Sequence, residues 1–318
     1  MAGTSGLANL GNTCYINTAI QCLGYCPEFR QFILDTSHAT SHNLAAEMHE
    51  LYHEMWVHNF SIIPKKFIRY LKDTITCINI TEQNDINEFL SLIIDKLNQH
   101  ISQKITVTRD DLIKKNKYKN TEFDLQRFKM DLSWYEKVSK EYSALIPMLH
   151  GQSISQIQCG NCSKIFHNYE IYLNLMLPLT QSTKNIYDCL DEYFKEEKIT
   201  FWTCDGCHKQ SPSSKVVKLW RNPNILIVSL KRFTLDLQKN NRPIIMPEEL
   251  DMSKYTLTKG ANIYKLQAVA HHDGSFDSGH YQAICSMNDQ WYVCDDLMVK
   301  QIDKPNLDFG YVYFYARS

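Results

Sequence analysis

Apolar residues along this chain follow two periods. In the first part they recur every three or four positions, the spacing of an amphipathic helix. Leu44, Met48, Leu51, Tyr52 and Met55 form one such stripe across 43–56. A compact apolar run at 14–23 stops near Gly24 and Pro27, and Pro64 opens a short helix predicted at 64–71. Ile86, Phe89, Leu90, Ile93 and Leu97 predict another helix, ending near Gln99. Asp85 with Glu88 three residues on resembles a capping box at its start. Segment 104–149 is polar, with Phe123, Phe128, Leu132 and Trp134 pointing to helix within it and Pro147 and Gly151 ending it.

Further on the pattern turns strand-like. Runs at 164–179 and 199–202 flank a helix predicted at 186–194. Residues 224–233, NILIVSLKRF, read as a buried strand with a charged end. Pro243 and Pro247 mark loops, and 250–257 returns to alternation. A strand from Tyr264 runs into a Gly/Asp/Ser loop, Gly279 opens the next strand, and alternating aromatics at 310–317 close the chain.

Composition narrows the classes. The chain has 318 residues, 44% hydrophobic and 22% charged, with net charge −1. That suits one large globular domain or two smaller ones and gives no support to polyanion binding. No apolar run approaches the ~18 residues of a membrane span, and no basic start precedes an apolar signal region. An intracellular protein, cytoplasmic or nuclear, with no membrane partner is expected. Eleven cysteines, an odd number that includes two CxxC pairs, then read as metal binding and catalysis rather than disulfides.

Four clusters carry candidate chemistry. Cys14 lies in a Gly/Asn-rich turn at the start of an apolar helix. Free N–H groups and the helix dipole there can lower a thiol pKa from about 8.5. Cys159-Gly160-Asn161-Cys162 and Cys204-Asp205-Gly206-Cys207 are CxxC knuckles, whose glycines allow tight turns. Two hairpin tips joined by one zinc with four thiolate ligands would explain them, and with no open position that zinc is structural. His49-Glu50-Leu51-Tyr52-His53 matches H-E-x-x-H. The longer metzincin pattern fails at Trp56 and Asn59, and no third ligand is evident, so a solvated helix face is the better reading. Lys114, Lys115, Lys117 and Lys119 could touch phosphate, but such runs are more often solvated, and no nucleic-acid partner is expected.

One stretch is more specific. In 6–23, GLANLGNTCYINTAIQCL, the residues Gly6, Leu7, Asn9, Leu10, Gly11, Asn12, Thr13, Cys14, Tyr15, Asn17 and Gln21 match the Cys box of the ubiquitin-specific proteases. Ile20 stands where leucine is usual. The run from Glu82 to Leu90 is similar to the family's E-Q-x-D-x-x-E-F-L box, and Leu230 to Phe233 to its L-K-R-F strand. His272 and Gly279-His280-Tyr281 resemble its His box, and Trp291 to Asp296 its W-x-x-x-[DN]-D ending, with Cys294 where phenylalanine is common.

The resemblance implies an α+β papain-like fold: a helical thumb (1–148), zinc-tipped β fingers (149–220) and a β-sheet palm (221–318). It implies a deubiquitinase that cuts after the C-terminal Gly-Gly of ubiquitin. Cys14 is then the nucleophile, His280 the base and Asp295 its orienter, with Asp296 in support and Asn9 in the oxyanion hole. Without the resemblance, His280 would pass for a structural histidine and Asp295-Asp296 for a turn pair. Gln83, Asp85, Phe233, His272 and Tyr281 are implied to line the groove for the ubiquitin tail; His271 acquires no role. Phe233 could equally be core, and Asp85 simply a helix cap. Alternatives are a hydrolase of another ubiquitin-like modifier, a non-catalytic ubiquitin-binding scaffold, or a zinc nucleic-acid module. An activating protein partner is also conceivable, since such sites can be misaligned without one.

Overall fold

Helical spacing becomes helices in the computed structural model, which describes residues 4–35, 43–58, 61–116, 121–234, 236–260, 262–275 and 278–318. In chain order these are α1 (Cys14–Gly24), α2 (Pro27–Leu34), α3 (Leu44–His53), α4 (Lys65–Thr74), α5 (Ile86–Ile101), α6 (Arg109–Asn116), α7 (Glu122–Val138) and α8 (Leu145–Leu149). Strands β1 (Gly151–Cys159), β2 (Ile165–Tyr172) and β3 (Asn174–Leu177) follow. After α9 (Ile186–Tyr193) come β4 (Glu197–Thr203), β5 (Gln210–Arg221), β6 (Ile225–Leu230) and β7 (Glu249–Asp251). The chain closes with β8 (Ile263–Gly274), β9 (Gly279–Met287), β10 (Gln290–Asp295), β11 (Met298–Ile302) and β12 (Val312–Arg317).

The strands form two sheets. The smaller has the order β2-β1-β5-β4; the larger runs β11-β10-β9-β8-β12-β6-β3, with β7 on β8. All pairs are antiparallel except β3 with β6. Every residue of β6 is buried, which is why its sequence is a continuous apolar run rather than an alternation. Ile225, Ile227, Ala270 and Phe314 face a core shared with the helices. Leu226, Val228, Tyr313 and Tyr315 face a second core that includes Ile186 and Leu190 of α9.

All eleven residues of α1 are buried, polar ones included. Asn17, Thr18 and Gln21 therefore need partners inside the fold. Asn17 donates to the Leu7 carbonyl (3.1 Å) and Gln21 to that of Ser5 (2.8 Å). The start of the chain is thus held against the helix that carries Cys14.

Some boundaries differ from the sequence pattern. Pro64 is the N-cap of α4, not its first helical residue. Asp85 caps α5 through the Asn87 N–H (2.7 Å). Its other oxygen accepts from Tyr311 (2.6 Å) instead of joining a reciprocal box with Glu88. Of the four residues that marked α7, only Trp134 is buried; its packed stripe is Met130, Trp134 and Val138. Within 250–257 the strand ends at Asp251 and a 3-10 turn, Ser253–Tyr255, follows. That turn buries the Tyr255 ring while its hydroxyl donates to Asp191 (2.7 Å). Lys117, Lys119 and Asn59 lie outside the described residues.

Arg232 is 1% exposed, and among the described residues no salt bridge pairs it with a carboxylate. Its guanidinium donates to the carbonyls of Gly310 (2.8 Å), Asn240 (3.0 Å), Arg242 (2.8 Å) and Asp308 (3.0 Å), tying two loops to the end of β6. Arg232→Met keeps most of the volume but orphans those oxygens. Urea unfolding of this variant is expected to show a loss of about 3–5 kcal/mol; a loss below about 1 kcal/mol would contradict the assigned role.

Candidate active site

Cys14 is the first residue of α1, as the turn-then-helix pattern requires, and is 5% exposed. Burial pushes its thiol pKa up, and the nearby Asp296 carboxylate adds to the rise. The backbone N–H groups of Tyr281, Tyr15 and Cys14 itself pull the other way without reversing it. The lowered thiol expected from the helix N-terminus is therefore not found: desolvation outweighs the dipole. The Tyr281 contact brings the sulfur to the start of β9, the strand that also carries His280.

His280 Nε2 lies 2.6 Å from Asp295 Oδ1, which fixes the ring and leaves Nδ1 for other work. Asp295 ends β10, whose neighbour in the sheet is β9. No hydrogen bond joins Cys14 to His280 among the described residues. Asp296 follows in the two-residue turn to β11 at φ 47°, a left-handed value that aspartate tolerates better than most residues. Its Oδ1 accepts from Asn17 Nδ2 (2.8 Å), its Oδ2 from Asn9 Nδ2 (3.0 Å), and its carbonyl from Leu7 N (2.8 Å).

Asn9 is oriented from both ends. Its Oδ1 accepts from the Thr13 N–H (3.1 Å) and hydroxyl (3.2 Å). Its amide nitrogen therefore faces Asp296, and one N–H remains for another acceptor. Gly6 allows the close approach behind this arrangement, since a Cβ there would sit 2.0 Å from the Leu297 carbonyl oxygen.

The five expected groove residues also converge. Gln83 Oε1 accepts from the Gly279 N–H (2.9 Å), linking the segment before α5 to the start of β9. The Phe233 ring meets those of His272 (5.6 Å) and Tyr311 (5.7 Å) edge to face. His272 stacks obliquely on Tyr281 at 4.5 Å. Burial drives His272 down to about 4, so it is neutral near pH 7. A Cβ at Gly279 would lie 2.1 Å from His272 Nε2, so the loop passes over this ring only with glycine there. Tyr311, which clamps Asp85 and walls Phe233, escaped the sequence reading because it looked like one more aromatic of the closing strand. Lys239, whose ammonium binds the His272 carbonyl, carried no signal at all.

A second cluster sits at two hairpin tips, where the spacing placed it. Cys159 ends β1, Cys204 follows β4, and β1 pairs with β5. The sulfurs of Cys159, Cys162, Cys204 and Cys207 all lie within 4.8 Å of one another. Asn161 N–H points at Cys159 Sγ (3.4 Å) and Gly206 N–H at Cys204 Sγ (3.3 Å), stabilising negative sulfur. Four convergent thiols with such donors fit a tetrahedral soft-metal site. The H-E-x-x-H match does not: Glu50 is paired to Lys66, and His49 Nδ1 lies 3.0 Å from the Ile33 carbonyl. No third acidic or sulfur ligand joins these histidines among the described residues.

The family model for ubiquitin carboxyl-terminal hydrolase matches residues 5–315. This chain belongs to that family of cysteine peptidases. It is 29% identical over 364 residues to ubiquitin carboxyl-terminal hydrolase 4 of Vanderwaltozyma polyspora, covering 99% of this chain and 41% of that one. It is 28% identical over 341 residues to ubiquitin carboxyl-terminal hydrolase Usp2 of Drosophila melanogaster, covering 99% and 35%. The chain thus spans about two fifths or less of these curated relatives. A probable ubiquitin carboxyl-terminal hydrolase of Acanthamoeba polyphaga mimivirus is 25% identical, with 99% and 90% covered. Among solved structures, the SAGA DUB module of Ubp8, Sgf11, Sus1 and Sgf73 bound to monoubiquitin matches with TM-score 0.76. That match has 21% identity and covers 100% of this chain and 70% of the other. The α+β fold is accordingly of the ubiquitin-specific protease type. Among the described residues no helix is long and apolar enough to cross a membrane.

A buried, protonated Cys14 has a definite signature. Its thiolate fraction should keep rising as pH increases beyond about 8.5, the ordinary thiol value, because the folded protein favours the neutral form. Alkylation of Cys14 by iodoacetamide, followed by mass spectrometry, should climb across that range without a plateau near neutrality. A plateau below about pH 7 would mean a preformed thiolate–imidazolium pair.

Proposed function

We propose that this protein is a deubiquitinase that hydrolyses the isopeptide or peptide bond after the C-terminal Gly-Gly of ubiquitin through Cys14, His280 and Asp295. The observation that carries this reading is the His280–Asp295 contact at 2.6 Å, formed through Nε2, next to the Tyr281 N–H that faces the Cys14 sulfur. In this reading Nδ1 of His280 takes the thiol proton as sulfur attacks the carbonyl and returns it to the leaving amine. Asp295 stabilises the imidazolium. The remaining Asn9 N–H and the Cys14 backbone N–H receive the oxyanion, and Asp296 holds Asn9 in place.

Cys14 rests protonated, and among the described residues no hydrogen bond joins it to His280. That supports a site completed by the substrate tail or by an activating protein. Gln83, Asp85, Phe233, His272 and Tyr281 line the channel, with Asp85 suited to the arginine-bearing tail. Residues 1–148 act as thumb, 149–220 as fingers and 221–318 as palm, inside the cell in cytoplasm or nucleus. The four-thiolate cluster holds zinc, which would brace the finger tips and supply no catalysis.

The test is release of a fluorescent amide from the C-terminus of ubiquitin, run in parallel with other ubiquitin-like modifiers. Cys14→Ala should abolish turnover, His280→Ala should lower it by about 10²–10⁴-fold, and Asn9→Ala by about 10²–10³-fold in kcat. Turnover that survives Cys14→Ala, or preference for another modifier, would overturn the assignment.

The zinc assignment separates from the chemistry. Cys204→Ser should release the metal, lower thermal stability and raise KM for ubiquitin substrates, with kcat at saturation largely kept. Full metal content in this variant, measured by elemental analysis, would contradict the ligand set.

A further inference from the structure

Strand order at one end of the larger sheet ranks the site residues along a line. Phe233 follows β6, Tyr311 precedes β12, His272 lies near the end of β8, His280 and Tyr281 open β9, and Asp295 ends β10. These strands are neighbours in the order β6-β12-β8-β9-β10, and β11 lies outermost. The groove residues Phe233, Tyr311 and His272 thus stand to one side of His280. Strands β10 and β11 lie on the other.

On that other side the surface turns apolar. Asp295 pairs in register with Met298 of β11, and residues so paired project to the same face of a sheet. Met298 is 61% exposed, and Leu297, beside it in the turn, is 50% exposed. The β11 side chains that pack against the cores are Val299 and Ile302. Leu297 is placed through its backbone. It follows Asp296, whose carboxylate accepts from Asn9, and its carbonyl oxygen would lie 2.0 Å from a Cβ at Gly6. Two large apolar side chains therefore stand open to solvent next to the carboxylate that orients His280, on a turn held from both ends.

We propose that Leu297 and Met298 form the leaving-group side of the site and receive the methylene stem of the lysine whose amide is cut. The inference rests on the hydrolase reading and adds to it the residues that meet the acceptor lysine. A tail lying across the ends of β6, β12 and β8 brings its last carbonyl to Cys14 and the scissile nitrogen to His280 Nδ1. The chain beyond that nitrogen continues over β10 toward β11. Neighbouring strands lie about 4.8 Å apart and a lysine stem spans about 6 Å, so the stem passes Asp295 and ends at Met298. Apolar cover suits methylenes there. Methionine, unbranched and flexible, adapts to a stem whose carrier protein differs between substrates.

The test compares two C-terminal amides of ubiquitin with matched reactivity, an N-methylamide and an amide to the side chain of lysine in a blocked Gly-Lys-Gly peptide. The intact parent chain should cleave the lysine amide with the higher kcat/KM. Met298→Ser combined with Leu297→Ser should lower that value about tenfold, the worth of roughly two buried methylenes, and leave the methylamide unchanged. Met298→Leu, which keeps an apolar side chain, should keep most of the lysine rate. Thermal unfolding accompanies each variant to confirm that it folds. Equal loss on both amides would mean that the turn only positions Asp295 and Asp296, and would overturn the proposal. So would equal kcat/KM for the two amides in the parent chain, or an unchanged lysine rate in the double variant. A parent chain that cleaves neither amide would refute the hydrolase reading itself, and this inference with it.

Discussion

The structure hangs on a strut made by the first few described residues. Leu7 N–H bonds the Asp296 carbonyl, Ala8 N–H bonds that of Ile62, and Ile62 N–H returns to Gly6. Asn17 and Gln21, buried on α1, hold the same segment from below. This short extended piece therefore joins the helical region to the β10–β11 turn, nearly three hundred residues away in sequence. Because its backbone groups are enclosed, each unpaired one would cost about 1–3 kcal/mol, so the segment has essentially one way to lie. That fixes where α1 starts, and with it the position of Cys14 relative to His280.

Two electrostatic effects compete at Cys14, and their balance shapes the site. A helix N-terminus favours negative charge, typically by 0.3–1 kcal/mol and up to about 2. Removing a thiolate from water can shift a pKa by several units. At 5% exposure the second effect wins. The resting protein therefore guards its sulfur as a thiol. His272, neutral by the same desolvation, adds no cation to the groove that would pull the balance back.

What the sequence revealed depended on how local each signal was. Helices α1, α3 and α5 were readable from spacing alone because their buried stripes are regular. The two thiol pairs were readable because a knuckle is local, and their convergence followed from hairpins being adjacent in a sheet. The helical pattern around Asp85 showed its cap and the family resemblance a groove role; the partner of its second oxygen, Tyr311, lies 226 residues away and leaves no trace in the local pattern. The raised thiol of Cys14 was equally hidden, since burial depends on how the sheet covers the helix. Segment 104–149 was legible only in part for a related reason: Phe123 marked a helix and α7 is there, but its ring lines a surface cavity instead of the packed stripe.

The turn after β10 carries a constraint of its own. Asp295 and Asp296 are consecutive and point their carboxylates at different clients, the imidazole on one side and the Asn9 amide on the other. Asp295 ends the strand and Asp296 opens the turn at φ 47°, so one residue inserted between them would carry one carboxylate away from its client. The connection therefore cannot grow by even one residue.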